Sequence, residues 1–296
     1  MLSVLSEPFE GHSVAVKTGR SAFSNEASRV TWVYSVPEWL LFVIVVFGMC
    51  LVAAIGLIVY RKVVPQSDDV SHNDVAGPII STVGTILAVI LSFMLVSVWQ
   101  QYDQAGATVV QEASAVADLY HAAGNFPQPV QAQLREALRT YSNAIIADEW
   151  PAMRVGKFSE TATKAQYGIL GIIVRYEPKT GAQQALQQDA ITFVNTLVDS
   201  RRDRLFDNQS GIPLIFWIGM LLLSAVTLGC AYIFRIKNER MHVFMCAALA
   251  GVIAVVFVLI AEFDYPFRGE AQIPATAWLT LQANIEGTPN PLTVSN

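Results

Sequence analysis

The sequence predicts an all-α integral membrane protein: four transmembrane helices in two pairs, with a helical extramembrane insert between the second and third. Three observations carry that prediction. Four apolar runs, Trp39–Tyr60, Gly77–Trp99, Gly211–Phe234 and Met241–Ala261, each exceed 20 residues without an Asp, Glu, Lys or Arg. A bilayer core of about 30 Å needs roughly 20 helical residues. The 296-residue chain is 53% hydrophobic and only 15% charged, where a soluble domain carries about 25% charged residues. Between the two pairs lies a polar stretch whose apolar residues recur at helical spacing.

Residues 1–37 read as a polar N-terminal tail, with Trp32 and Tyr34 close to the first span (38–62). Glu7 and Glu10 stand where a signal peptide needs a basic region and an apolar core, so no cleavable signal is expected. Pro65, Ser67-Asp68-Asp69 and Asn73-Asp74 mark a loop before the second span (77–99). Between Val83 and Gly124 the breakers are Gly84 and Gly106, so this span is predicted to leave the bilayer as one long helix.

The insert (100–210) is predicted to be helical. Asp103–Ala123 ends before Pro127 and Pro129. Val130–Glu149 repeats Val130, Leu134, Leu138, Tyr141 and Ile145 and is followed by Pro151. Ser159–Arg175 is a less periodic helix. Ala182–Phe206 carries the stripe Leu186, Ala190, Phe193, Leu197 and Leu205. The third span (211–234) opens near Gly211-Ile212-Pro213. A tight hairpin at Arg235–Arg240 leads to the fourth span (241–262), and residues 263–296 read as a C-terminal tail. Trp39, Tyr60, Trp99, Tyr102, Trp217, Tyr232 and Tyr265 fall near span ends, as interfacial aromatics do.

The charge pattern excludes some functions. A net charge of −5 without a basic, aromatic-laced stripe argues against nucleic acid as a partner. Cys50, Cys230 and Cys246 all lie in apolar spans, without a CxxC pair, and read as small buried hydrophobes. His12, His72, His121 and His242 are scattered, and no HExxH, Walker loop, GxSxG or GxGxxG occurs. No enzymatic activity, cofactor or metal is therefore expected. Glu112 and Asp118 read as solvated helix charges. Glu262 and Asp264, at the end of the fourth span, are open to three roles: ion ligand, helix cap or contact with water.

Two features of the polar and apolar patterning point towards ions. Arg201, Arg202 and Arg204 form the densest basic cluster, read either as interfacial anchors or as an anion-attracting ring at a pore mouth. In the second span, Gly84, Ala88 and Ser92 form a small-residue ridge that lets helix backbones approach closely. One position on, Thr85, Val89 and Phe93 form a stripe at i, i+4 and i+8. If copies of the helix gather round an axis, this stripe faces it, and stacked apolar rings gate by dewetting. Otherwise it faces lipid or another helix of the same subunit.

The run Leu87-Ala88-Val89-Ile90-Leu91-Ser92-Phe93 resembles the second transmembrane helix of bestrophins, an apolar stretch ending in Leu-Gly-Phe. Trp99-Gln100-Gln101-Tyr102 is similar to that family's Trp-rich segment closing on Gln-Tyr. Gly211-Ile212-Pro213-Leu214 is similar to its Ile-Pro-Leu, and Ala261-Glu262 with Pro266-Phe267-Arg268-Gly269 to its Ala-Glu followed by Pro-Phe-Gly. The chain as a whole, and above all Ser71–Tyr120 and Ser200–Ile273, looks most like bacterial membrane proteins with a bestrophin-like domain.

The resemblance implies a pentameric channel passing chloride or a similar anion, with Thr85, Val89 and Phe93 as the neck. It implies an inner-membrane location with cytoplasmic insert and termini, whereas the near-equal spread of Lys and Arg on the two sides weakly favours cytoplasmic short loops. Ser92 replaces the family's Gly, Thr85 makes the first ring polar, and the acidic run of calcium-gated members is missing after Phe267, so no calcium site is implied. The alternative is a non-conducting membrane scaffold or sensor that binds a partner through the stripe of Leu186, Ala190, Phe193 and Leu197.

Overall fold

One 52-residue helix, His72–Ala123, spans both layers of the molecule. At about 1.5 Å per residue it is about 78 Å long, more than twice a bilayer core. The second span therefore runs without a break into the insert. The structure is a computed structural model describing residues 38–64, 72–234, 236 and 238–287. The expected polar tail (1–37), residues 65–71 of the expected loop, Arg235, Lys237 and residues 288–296 lie outside the described residues; Asn73 and Asp74, also expected in that loop, fall in the His72–Ala123 helix.

The helices in chain order are α1 (Glu38–Val63), α2 (His72–Ala123), α3 (Val130–Ala144), α4 (Trp150–Met153), α5 (Glu160–Arg175), α6 (Gly181–Asp207), α7 (Leu214–Ile233), α8 (Glu239–Phe263) and α9 (Thr276–Glu286). Among the described residues all regular structure is helical. Side-chain caps fix three starts. The Ser159 hydroxyl accepts from the Ala162 N–H, Thr180 from Gln183 and Asn238 from Met241, each at 3.2 Å. Between α3 and α4 the chain makes a π turn, Ile145–Glu149. Pro151 follows and has no N–H to continue an α-helical ladder. The sequence expects one helix through Glu149; the π turn instead swings Glu149 into the interior, where it is fully buried.

α1, α2, α7 and α8 are long and apolar enough to cross a membrane. Their pairing in sequence is not their pairing in space: α1 packs chiefly on α8, and α2 on α7 and α8. The Cys50 thiol donates to the Ala247 carbonyl at 3.2 Å, and the Tyr232 hydroxyl to the Ala53 carbonyl at 2.9 Å. At the far end Arg61 meets His242 Nδ1 at 2.8 Å and Glu239 at 3.2 Å. Arg61 has only donors, so Nδ1 accepts and Nε2–H donates to the Ala231 carbonyl at 3.1 Å.

The extramembrane layer has one core. It joins Val109, Val116 and Leu119 of α2, Leu134, Leu138 and Tyr141 of α3, Ile169 and Ile173 of α5, and Ala190, Val194 and Leu197 of α6. The stripe offered above as a partner surface is thereby used within the subunit: Ala190 and Leu197 are buried, and Leu186 and Phe193 pack against the same core. The expected C-terminal tail is also corrected over residues 263–287. Phe267, Ile273, Trp278 and Leu281 are buried in this core, because they are apolar and α9 brings them back onto it. The Trp150 indole donates to the Ile273 carbonyl at 3.2 Å, and Trp278 sits edge-on to Tyr141.

The two layers meet where α6 gives way to α7. The Asp264 carboxylate accepts the Ile212 N–H at 2.6 Å and is buried, which settles its role as a backbone cap. Arg268 donates to the Asn208 carbonyl at 2.8 Å and stacks on the Tyr265 ring. That ring lies against Gly211, where a Cβ would stand 2.5 Å from Tyr265 Cζ.

Candidate pore-lining face

α2 presents opposite faces to different surroundings along its length. Leu87, Leu91, Val98, Ala105, Val109, Glu112, Val116, Leu119 and Ala123 are all buried. At 3.6 residues per turn they form one stripe, continuous from membrane to extramembrane layer. The opposite face is uncovered throughout. It carries Thr85, Val89, Phe93 and Val96 in the membrane, then Gln100, Asp103, Ala107, Gln111, Ser114 and Asp118 beyond it.

Within the membrane this face is apolar, and Phe93 is its most prominent side chain at 71% exposure. The hydroxyl of Thr85 donates to the Ser81 carbonyl at 2.8 Å, and that of Ser92 to Ala88 at 2.7 Å. Both donors are thus used on the helix itself. The ridge of Gly84, Ala88 and Ser92 lies beside the stripe; Ala88 and Ser92 are exposed and Gly84 half-buried, and a Cβ added at Gly84 would meet nothing within 4 Å. Among the described residues no other helix of the subunit packs over Thr85, Val89 or Phe93. One of the alternatives open in the sequence is removed, leaving a lumen, lipid or a second copy.

The basic cluster requires a correction. Arg201 and Arg204 are buried, facing the core and not solvent. Arg204 forks onto Glu112 through Nε and Nη2, and Nη2 also reaches Glu149 at 2.8 Å. Arg201 binds Glu149 through Nε at 3.0 Å and Nη2 at 2.6 Å, and donates to Gln166 at 2.7 Å. The Tyr141 hydroxyl donates to Glu112 at 2.6 Å. Two guanidinium groups thus meet two carboxylates in a neutral cluster. Glu112, expected to be a solvated charge, is fully buried for the same reason. Arg202 is exposed and pairs at the surface with Asp199 at 3.1 Å. The three arginines do not form one ring.

The cluster's electrostatics follow from its geometry. Burial alone would raise the Glu149 pKa, but the hydrogen bonds and charges of Arg201 and Arg204 outweigh it and hold it below the usual carboxylate value. Burial and the Glu112 carboxylate push the Tyr141 phenol well up. Burial works against the Arg204 charge, yet Glu112 and Glu149 raise its pKa further and fix it as a cation. Such a cluster pins α2, α6 and the π turn together by mutual charge satisfaction.

Fold and site together define an integral membrane protein whose long second helix presents an uncovered face through both layers. The chain belongs to the Bestrophin-like domain family, which matches residues 47–278. It is also similar in fold to a crystal structure described as that of a membrane protein. The TM-score is 0.58 at 12% identity, covering 83% of this chain and 96% of the other. A search of curated proteins gives no match.

Proposed function

We propose that the protein is an ion channel built from several copies of the chain around an axis, with α2 lining the pore. The observation that supports this reading is the uncovered face of α2, apolar inside the membrane and polar beyond it. In this arrangement Gly84, Ala88 and Ser92 pack against a neighbouring copy, and Thr85, Val89 and Phe93 stack into a neck that controls wetting. Membership of the family supports the same arrangement. Five copies, a bacterial inner membrane, and an insert and described termini on the cytoplasmic side complete the proposal, all carried by the resemblance. No catalytic step is part of it. The scaffold alternative is weakened because its nominated stripe is consumed by the subunit's own core.

Planar-bilayer recording of the purified protein tests the reading. Discrete currents are expected, and Phe93→Ala is expected to raise conductance by widening the neck. Unchanged conductance and selectivity in an otherwise active Phe93→Ala channel would contradict the neck. The resemblance implies chloride as the permeant ion.

A further inference from the structure

We propose that the turn 154–158 is a membrane anchor. Val155 and Phe158 seat in the headgroup layer of the bilayer that the spans cross, with the Lys157 ammonium among the lipid phosphates. The partner is a lipid surface. The proposal requires neither a pore nor a number of copies, only the membrane layer itself.

Position is the first argument. The loops of the extramembrane layer fall at two ends. The end of α5 meets the start of α6 at the distal end, where Gln187 donates to the Ile173 and Tyr176 carbonyls at 2.9 and 2.8 Å. The turn before α5 lies at the other end, against the last turns of α6. There the Asn208 side-chain amide donates to the Lys157 carbonyl at 3.5 Å, and Arg268 to the Asn208 carbonyl at 2.8 Å. Ser210, two residues further on, accepts from Gln101 at 3.3 Å. Gln101 stands beside the rings of Trp99, Tyr102 and Phe263, where the spans end. Two residues of chain cover at most about 7 Å, and the headgroup layer is about 5–8 Å thick on each side of the core. The turn therefore stands at headgroup height.

Shape is the second argument. Gly156 has φ +70°, which glycine adopts without strain. A Cβ there would also stand 2.7 Å from Arg268 Nη2. The Gly156 N–H donates to the Met153 carbonyl and the Lys157 N–H to the Ala152 carbonyl, each at 3.0 Å. These bonds, with Asn208 and Arg268, hold the backbone of the turn against the protein. The side chains of Val155, Lys157 and Phe158 are left exposed.

The third argument is a contrast between the two ends. Val155 is 52% and Phe158 55% exposed, and they are the large apolar side chains left exposed in the loops of the insert. In the distal loops Phe126 is buried and meets the half-buried Tyr176 edge-on, while Asn125, Gln128, Glu177 and Lys179 are exposed. The distal end thus hides its apolar residues from water, and the end nearest the bilayer does not. Apolar surface left in water is unfavourable. At headgroup height the same side chains enter the boundary of the acyl chains, and a neighbouring cation meets phosphate.

A fluorophore on a single cysteine reads the depth of the turn. With Cys50, Cys230 and Cys246 replaced, the full chain would carry Val155→Cys, Phe158→Cys or, at the distal end, Asn125→Cys. Each would be reconstituted in vesicles of phosphatidylcholine and phosphatidylglycerol. All three positions are exposed, so the variants are expected to fold. Lipids bearing a nitroxide near the headgroup are expected to quench the labels at 155 and 158 several-fold more than the label at 125. Acrylamide, present on both faces of the bilayer, is expected to quench in the opposite order. Acrylamide quenching at 155 and 158 as strong as at 125, without quenching by the lipid, would place the turn in water. Shielding of both labels from both quenchers would place it against another copy of the chain. Either result would overturn the anchor and leave the proposed pore untouched.

Discussion

The extramembrane layer closes its core within one chain; the membrane layer does not. In the extramembrane layer α2, α3, α5, α6 and α9 surround a continuous set of buried side chains, and even the charges inside it are matched two to two. In the membrane only 11% of the most apolar window of α1 and of α2 is buried, 17% of that of α7, and 39% of that of α8. α8 is thus the inner helix of the membrane layer, while the others present most of their surface outwards. A lipid-facing surface is apolar all round and needs no ridge of small residues. The α2 face has such a ridge beside Phe93, the surface that the proposed function covers with further copies. The difference gives the layers different tasks under the proposed function: one holds a fixed shape, and the other is closed by further copies.

Three substitutions or conditions separate the layers. The largest effect is expected in the self-contained core. Arg204→Met leaves Glu112 buried without its main counter-charge, and breaking such a pair costs about 3–5 kcal/mol. Denaturant unfolding followed by Trp fluorescence would register the loss; a change below about 1 kcal/mol would mean the cluster behaves like a surface ion pair. Next comes Ala88→Leu. A larger side chain on the ridge holds neighbouring helices apart, at a cost of about 1–3 kcal/mol by analogy with overpacking. Oligomer mass in detergent is expected to fall while the extramembrane unfolding transition stays put. An unchanged mass would place the ridge against lipid.

Acid gives the smallest and most graded effect. The Glu149 carboxyl lies below its ordinary value of 4.5 in the folded protein, so its contribution is complete above that pH and is lost as pH falls through the lower folded value. Asp207 and Asp264 act in the opposite sense. Burial, chiefly, raises each from 3.8 to about 6, so their contributions are present in acid and fade as pH rises through about 6. Loss of extramembrane stability is therefore expected below about pH 4.5, removed in Glu149→Gln by comparison with its own neutral-pH value. An acid transition identical in that variant would assign the loss to other carboxylates.

How much of this was legible in the sequence depends on the range of the interactions. The spans were legible because length and apolarity are local properties, and the unbroken α2 because no breaker interrupts it. Thr85, Val89 and Phe93 could be placed on one face because i, i+4 and i+8 share a side of any helix; what they face is not written in that spacing. The cluster of Glu112, Glu149, Arg201 and Arg204 was invisible because its partners lie 52 to 92 residues apart. Arginines read as a row in sequence were turned inward by carboxylates on other helices. The fold of residues 263–287 was missed for a related reason. Phe267, Ile273 and Trp278 are too sparse to announce a helix, and only the core they complete explains them.

Cysteine accessibility along α2 in a conducting protein tests the central claim most directly. With Cys50, Cys230 and Cys246 replaced, single cysteines would be placed on the uncovered face at Val89, Phe93, Gln100 and Ala107, and on the buried face at Leu87, Leu91 and Ala105. A charged, membrane-impermeant thiol reagent is expected to alter current at the first four positions and to spare the other three. Inert cysteines at Val89 and Phe93 in a protein that still conducts would contradict the account, because the water-filled path would then run elsewhere.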